Sequence, residues 1–301
     1  MNKKIFSYLL AVVVLLSACD KVDPPYTQTS GGNPNTSDTV FRKILIEDYT
    51  GFRCGNCPAA ATTIYTTLAP IYGDELISIG VHASPNNTFT NTTPPASLPA
   101  GAPAGSFATD FRTPVGEAWL TAFSVGANPN GMVSRLDYPT NEQVKLPTAW
   151  GAAAQSIYHQ PAKFKIEITN QYDTTTGNLD CNIKVKTLQA VSGTYNLSVV
   201  LTEDSVTDWQ VWYNHTPQNV PDYVHHHVLR GSLNGTLGDQ VFNGSIAAND
   251  SISNPYSLNL LNISSINPVN PALNTNHCHI VAFVYETTTK EIWQVEEEKV
   301  R

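Results

Sequence analysis

The stretch FRKILIEDYTGFRCGNCP spans residues 41–58 and decides the fold of the first half of the chain. Its apolar, β-branched beginning predicts a buried strand over 40–49, and the alanine-rich residues that follow predict a helix over 55–70. Between them stands a Cys-x-x-Cys pair, Cys54 and Cys57. Unpaired N–H groups and the dipole at a helix start stabilise a thiolate, which is the reactive form of cysteine. We therefore predict Cys54 as an attacking thiol and Cys57 as the resolving thiol one helical turn later.

A second strand is predicted over residues 76–83, after a glycine that ends the helix. A strand–helix–strand unit of this length predicts two parallel strands with a helix lying on the sheet. The proline-rich residues 84–106 then break the pattern, and a long loop at the carboxyl end of a strand is often functional. Residues 40–159 are accordingly interpreted as an α/β domain that carries this loop as an insertion.

Residues 160–301 have a different pattern, in which short alternating strands are separated by turn residues. Seven or eight such strands predict an antiparallel β-sandwich domain. Cys181 and Cys278 fall in predicted strands of this domain. They are interpreted either as a second disulfide or as two separate buried thiols, because the sequence does not give the distance between them.

The N-terminal residues are typical of an exported protein. Two lysines precede an apolar run over 5–16, and the next residues, Leu-Ser-Ala-Cys at 16–19, resemble a bacterial lipobox. We predict a signal peptide over 1–18 and a lipid on Cys19; the alternative is an ordinary secretory signal with an incidental cysteine. Residues 19–39 are rich in Pro, Thr, Ser, Gly and Asn, which predicts a flexible tether. The mature protein would then hang from a membrane by its lipid.

Composition excludes one class of partner. Only 14% of the residues are charged, the net charge is −8, and Lys and Arg are not clustered. Nucleic-acid binding needs such clusters, so we expect no nucleic-acid partner. Hydrophobic residues make up 41% of the chain, enough for a sizeable core. No later segment approaches the roughly 18 apolar residues of a membrane-spanning helix, and no cofactor is expected.

Four histidines are weak candidates for a metal site. His225 and His227 would share one face of a strand, because side chains alternate with period two, and His277 and His279 would do the same. Four imidazoles brought together would suit zinc or copper. The alternative, surface or core histidines in an ordinary sandwich, is favoured, and no metal is predicted.

Four segments of the chain resemble the Omp28-related outer-membrane lipoproteins of the Bacteroidetes. These segments lie at residues 47–58, 110–114, 223–230 and 279–285. The resemblance implies a thioredoxin-like domain followed by an immunoglobulin-like β domain, anchored at the outer membrane. It implies little about activity.

The first half of the chain also resembles thioredoxin-like proteins. By this resemblance Cys54 and Cys57 are the attacking and resolving cysteines, and Asp48 is the buried acid that exchanges protons with the resolving thiol. Pro129, which opens a predicted strand, matches the cis-proline that faces the active site. Arg53 stands where the family has tryptophan, and its charge would lower the pKa of Cys54.

Two functional hypotheses follow for the predicted exported protein. In the first, it exchanges thiols and disulfides through its Cys-x-x-Cys pair, and the β domain recruits an unknown protein partner. In the second, it is a non-catalytic binding or adhesion lipoprotein that recognises a surface ligand, and the pair is a structural disulfide. Half of a zinc site is a third, weaker interpretation of the two cysteines, since no second Cys-x-x-Cys is present.

Overall fold

The computed structural model describes residues 39–92, 97–140, 142–261 and 273–301. Thr39–Arg301 form one compact unit. Within the four described ranges, no helix has the length and hydropathy needed to cross a membrane. The predicted signal peptide and the lipidation site Cys19 lie outside the described residues.

The described residues are mostly β-sheet, with thirteen strands and three helices of more than one turn. In chain order the elements are β1 (Ile44–Thr50), α1 (Cys57–Thr62, continued by the π-helical Thr63–Leu68 and by Ala69–Tyr72), β2 (Leu76–His82), α2 (Pro114–Ala122), β3 (Asn130–Val133), α3 (Pro147–Ile157), β4 (Phe164–Tyr172), β5 (Asn178–Thr187), β6 (Val191–Glu203), β7 (Val206–Val211), β8 (Asn219–His225), β9 (Val228–Ser232), β10 (Asp239–Ile246), β11 (Ser251–Asn259), β12 (Cys278–Glu286) and β13 (Ile292–Lys299). The widened π turn of α1 comes just before Pro70, which has no N–H to donate to the preceding turn.

A large sheet of eight strands organises the fold. Its strand order is β13-β12-β6-β9-β2-β1-β3, with β10 also paired to β6. β1 and β2 are parallel, as predicted, and β3 is antiparallel to β1. The sheet crosses the predicted domain boundary at residue 160, because β9 pairs with β2 where Val228 lies opposite Gly80. A β-rich fold is confirmed, whereas the thioredoxin-like and immunoglobulin-like assignments and the domain boundary stay predictions.

Helices cover both faces of the sheet near β1 and β2. On one face Trp119 of α2 packs in a cluster with Ile79 and Phe283. On the other face Trp150 of α3 packs with Ile46 and α1. Nearly every residue of β1 and β2 is buried as a result, which explains why both strands begin with apolar, largely β-branched residues.

A second sheet covers the part of the large sheet formed by β6 and β12. It has three strands in the order β11-β5-β4. β5 alternates buried and exposed residues along most of its length, since one face meets the core and the other meets solvent. Its Ile183 packs in one cluster with Leu201 and Ile280 of the large sheet. Antiparallel strands of the two sheets therefore share one apolar core in this region, while the sandwich assignment stays a prediction.

Strands β7 and β8 form a separate two-stranded antiparallel sheet. We call residues 206–225 the β7–β8 hairpin. It follows β6 and precedes β9 in the chain, so the large sheet supports both of its ends. The hairpin folds back onto the residues that follow β1, and this places it over the Cys-x-x-Cys pair.

Candidate functional site

A tight loop of residues 51–56, which we call the cysteine loop, joins β1 to α1; Cys54 lies in this loop and Cys57 begins α1. A disulfide joins Cys54 to Cys57. The N–H of Cys54 donates to the carbonyl of Gly51 at 2.9 Å, and the N–H of Cys57 donates to the carbonyl of Cys54 at 3.1 Å. Helix α1 begins at Cys57, two residues later than predicted. Cys57, and not Cys54, therefore occupies the first turn of the helix.

Both cysteines are buried. Cys54 is 2% exposed and Cys57 is 1% exposed. The amide of Gln210, on the β7–β8 hairpin, donates to the carbonyl of Cys54 at 3.0 Å. Gln210 is itself 2% exposed, so the hairpin seals the disulfide from solvent on this side.

Two main-chain hydrogen bonds hold the hairpin on the cysteine loop. The N–H of Val211 donates to the carbonyl of Phe52 at 2.8 Å, and the N–H of Tyr213 donates to the carbonyl of Gly55 at 3.0 Å. A Cβ on Gly55 would lie 2.4 Å from the ring of Tyr213. Glycine at this position thus lets the ring of Tyr213 lie directly on the cysteine loop.

The proline-rich loop 84–106 packs beside the cysteine loop. The N–H of Arg53 donates to the carbonyl of Phe89 at 3.1 Å, and its guanidinium donates to the carbonyl of Ser97 at 3.0 Å. The guanidinium also lies 5.8 Å from the ring centre of Phe107. Arg53 thus links the cysteine loop to the proline-rich loop.

A small polar cleft lies behind the disulfide. Its volume of about 20 Å³ has room for about one water molecule. Its lining includes Asp48, Cys57, Tyr65, His82, Tyr223 and His225. Of these, Asp48 and Cys57 were predicted to belong to one site, and His225 was predicted only as a weak candidate metal ligand. The others were missed, although His82 stands in a predicted buried strand, where a histidine is unusual.

Asp48 is the acid of this cleft. It lies on β1 opposite Gly80 of β2 and Gly131 of β3, and it is 6% exposed. Its Oδ1 atom has no hydrogen-bond partner among the described residues. Burial raises the pKa of Asp48 to about 7. The carboxyl therefore changes charge near neutral pH, while its role as a proton carrier stays a prediction.

His82 and His225 face each other across the cleft, from β2 and from the hairpin. Their ring centres are 5.3 Å apart. Among the described residues, both ring nitrogens of His82 and Nε2 of His225 lack a hydrogen-bond partner. Burial holds the pKa of His82 well below its usual value and lowers that of His225 to about 4. Both imidazoles are therefore neutral at pH 7.

The predicted grouping of His225 with His227 on one strand face is wrong. β8 ends at His225, and the backbone of His227 has a φ of +45°, which turns the chain. His227 lies near His279, with ring centres 6.0 Å apart, while His277 lies in a separate 3₁₀ turn. Within the described part of the chain, no three His, Cys, Asp or Glu side chains are grouped to hold a metal ion.

Asp204 joins the two ends of the β7–β8 hairpin. Its Oδ1 accepts a hydrogen bond from Nδ1 of His226 at 3.0 Å and another from the N–H of His227 at 3.1 Å. Burial raises its pKa, but hydrogen bonds from His226 and Ser205 outweigh burial and hold it below the usual range. The ring of Tyr65 packs on His226 with a centre distance of 4.4 Å. This cluster was not predicted, and the one signal for it in the sequence is the run of three histidines at 225–227.

Pro129 lies at the same end of the sheet as the cysteine loop. The Asn128–Pro129 peptide bond is cis, and β3 follows it directly. Asn130 of β3 is opposite Tyr49 near the end of β1. The amide of Asn128 donates to the carbonyl of Ala83 at 2.9 Å. A role for Pro129 in a reaction stays a prediction.

The second possible disulfide is not formed. Cys181 and Cys278 are buried free thiols. Cys181 lies on β5 of the three-stranded sheet, whereas Cys278 begins β12 of the large sheet, so each belongs to a different layer. Burial raises the pKa of each thiol to about 12. The alternative of two separate buried thiols is therefore the one the structure adopts.

Comparison with known families gives one decisive match. The model of the family "Outer membrane protein Omp28" matches residues 117–301, which is more than half of the chain. The chain belongs to this family. Its location is the outer membrane, as predicted, and it is associated with that membrane. The Omp28 match begins after the cysteine loop, so family membership alone assigns no role to the disulfide.

Solved structures add only distant similarities. A domain of the outer membrane lipoprotein Omp28 from Porphyromonas gingivalis is 23% identical, with 46% of this chain and 89% of that chain covered and a TM-score of 0.31. A β-glucosidase from Kluyveromyces marxianus is 14% identical, with 48% and 15% covered and a TM-score of 0.22. One from Listeria innocua is 13% identical, with 46% and 16% covered and a TM-score of 0.23. The Omp28-family chain thus spans about one sixth of those enzymes. No curated protein matches it.

Proposed function

We propose that this Omp28-family protein is a non-enzymatic binding lipoprotein of the outer membrane, in which the Cys54–Cys57 disulfide is structural. The burial of both cysteines under the β7–β8 hairpin carries this proposal. Exchange requires a thiolate to reach one sulfur directly, so a sealed disulfide resists exchange. The lipid on Cys19 would anchor the protein, and its partner is a protein or a ligand at the membrane surface.

The resistance of the disulfide to reduction tests this proposal. The soluble chain without its first 19 residues is incubated with tris(2-carboxyethyl)phosphine, then unfolded and alkylated for mass spectrometry. Two labels report Cys181 and Cys278 alone, and four labels report a reduced chain. We expect two labels after native incubation and four when reductant is added in urea. A reduction potential below about −300 mV is expected of a structural disulfide; rapid native reduction with a higher potential would overturn the proposal.

Thiol–disulfide exchange is the second candidate function, and Asp48 is the observation that favours it. This carboxyl lines the same cleft as Cys57 and has a pKa near 7. A group that titrates near the working pH is suited to move a proton to or from a thiol. Activity in a glutathione-coupled exchange assay that falls at least ten-fold in Asp48→Asn, with the fold retained, would support it. No turnover in either protein would remove it.

The lipid anchor is tested separately from the disulfide. In cells the full chain is expected in the outer-membrane fraction, with a lipid-modified cysteine at the N-terminus of the mature protein. Cys19→Ser should prevent the modification and release the protein into the soluble fraction. Unmodified wild-type protein would contradict the anchor and leave the interpretation of the disulfide untouched.

A further inference from the structure

We propose that the β7–β8 hairpin is a lid that opens as the pH falls from 7 to 5 and exposes the disulfide and the polar cleft behind it. This inference goes beyond the proposed function, because it holds whether the disulfide is structural or exchangeable. It depends on the residues at the two ends of the hairpin, on the limited contacts of the hairpin with the rest of the protein, and on His82 and His225, which lie between the two.

The ends of the hairpin have the geometry of hinges. Ser205 precedes it with a φ of +57°, and His227 follows it with a φ of +45°. Both are non-glycine residues in the left-handed region, where the backbone is strained. Asp204, just before the hairpin, accepts hydrogen bonds from His226 and His227, just after it. These bonds keep the two ends of the hairpin together while residues 206–225 move.

The contacts that keep the hairpin closed are a small set of hydrogen bonds and one small apolar cluster, separate from the main cores. The two main-chain bonds to the cysteine loop and the amide of Gln210 account for the hydrogen bonds to that loop. Trp209 adds an aromatic contact, 5.6 Å from Phe107 between ring centres. Val211 is a buried member of a small cluster with Phe52, and Val206 packs against that cluster. Such a segment opens more readily than one attached to the main core.

His82 and His225 are the groups that couple this opening to pH. One belongs to the body and the other to the hairpin, and both are 4% exposed. A proton added to either in the closed form would create a buried imidazolium beside a second imidazole, and Nε2 of His225 and both ring nitrogens of His82 have no hydrogen-bond partner among the described residues. Opening lets water solvate both rings. The charged or titratable groups facing the pair are Arg230 on β9, Asp208 on β7, Asp48 on β1, and Tyr223 and His226 at the end of β8.

The signs of these effects leave acid favouring the open form. Each imidazole has a lower pKa in the closed form than the usual value of about 6.5, so the open form binds more protons below that pH. Asp48 acts in the opposite direction, because its pKa near 7 means that the closed form holds its proton. Two imidazoles outweigh one carboxyl, and the opening equilibrium should rise by about ten-fold between pH 7 and pH 5.

Hydrogen exchange read by mass spectrometry tests the lid in the soluble chain. At pH 5 and pH 7, after correction for intrinsic rates, peptides from residues 206–225 are compared with peptides from 278–286 in β12. We expect about ten-fold greater opening of the hairpin at pH 5, with β12 unchanged. Equal acceleration in β12 would mean general destabilisation, and no acceleration in the hairpin would mean no lid; either result overturns the proposal.

Two variants change the pH response in opposite directions. His225→Gln removes one imidazole and should make hairpin opening nearly independent of pH. Asp48→Asn removes the opposing carboxyl and should increase the acid effect to several hundred-fold. His215→Gln, in the turn of the hairpin, is the matched control and should retain the ten-fold response. If His225→Gln does not fold, Asp48→Asn still decides, since an unchanged or smaller acid effect in that variant contradicts the proposal.

Discussion

The β4–β5 and β7–β8 hairpins are two antiparallel pairs held on one protein in different ways. The first places Ile183 and Val185, both 0% exposed, against the large sheet. The second places Gln210 and His225 against the cysteine loop and the cleft. A fully buried aliphatic side chain contributes roughly 1.5–3 kcal/mol, whereas a hydrogen bond contributes about 1 kcal/mol net. We infer that the β4–β5 hairpin stays packed on the large sheet in the native state, whereas the β7–β8 hairpin opens under some conditions.

The largest expected effect is on the β4–β5 hairpin. Ile183→Ala should lower the free energy of unfolding by about 2–5 kcal/mol, because it leaves a cavity in the main core. Urea denaturation followed by circular dichroism measures this loss. Lys184→Ala, on the solvent side of the same strand, is the control and should change stability by less than about 0.5 kcal/mol. A loss below 1 kcal/mol for Ile183→Ala would remove the distinction between the hairpins.

The disulfide comes next. Replacing Cys54 and Cys57 together by serine should lower the free energy of unfolding by about 2 kcal/mol, the value for so short a closed loop. Hydrogen exchange should accelerate in the cysteine loop and in the β7–β8 hairpin, while β5 stays protected. Cys181→Ala is the matched control, since this free thiol lies in the core of the other hairpin. A double variant that loses protection everywhere equally would show that the disulfide stabilises the whole chain and not one region.

Gln210 should have a smaller and more local effect. Gln210→Ala leaves the carbonyl of Cys54 without its side-chain donor, at a cost of about 1–2 kcal/mol for the closed hairpin. Native reduction of the disulfide should become about ten-fold faster, and the free energy of unfolding in urea should fall by the same amount, because the closed form is the native state. Gln218→Ala is the control, because among the described residues this exposed amide donates to Tyr213 within the hairpin and not to the cysteine loop. Equal reduction rates for the two variants would mean that Gln210 does not close the lid.

Local patterns predicted much of the fold but not its long-range contacts. The strands β1, β2 and β5 could be predicted from the sequence, because the apolar runs of β1 and β2 and the alternation of β5 are patterns among residues adjacent in the chain. The contact between Gln210 and Cys54 spans 156 residues, and no local pattern specifies it. The positive φ of His227 also breaks the regular period on which the histidine prediction depended. The cysteines of the site were therefore predictable, whereas the hairpin that covers them was not.

The last and smallest effect concerns the contact of Gly55 with Tyr213. Gly55→Ala places a methyl group where the ring of Tyr213 lies. The side chain of Tyr213 is 53% exposed, so the ring can turn away. The closed hairpin should lose only about 1 kcal/mol, seen as faster native reduction of the disulfide and as an equally small loss of stability in urea. Adding Tyr213→Ala removes the clash and should restore the slow rate. If the second change accelerates reduction further, the ring acts as a cover for the disulfide, and the main-chain bond beside it does not suffice to hold the hairpin closed.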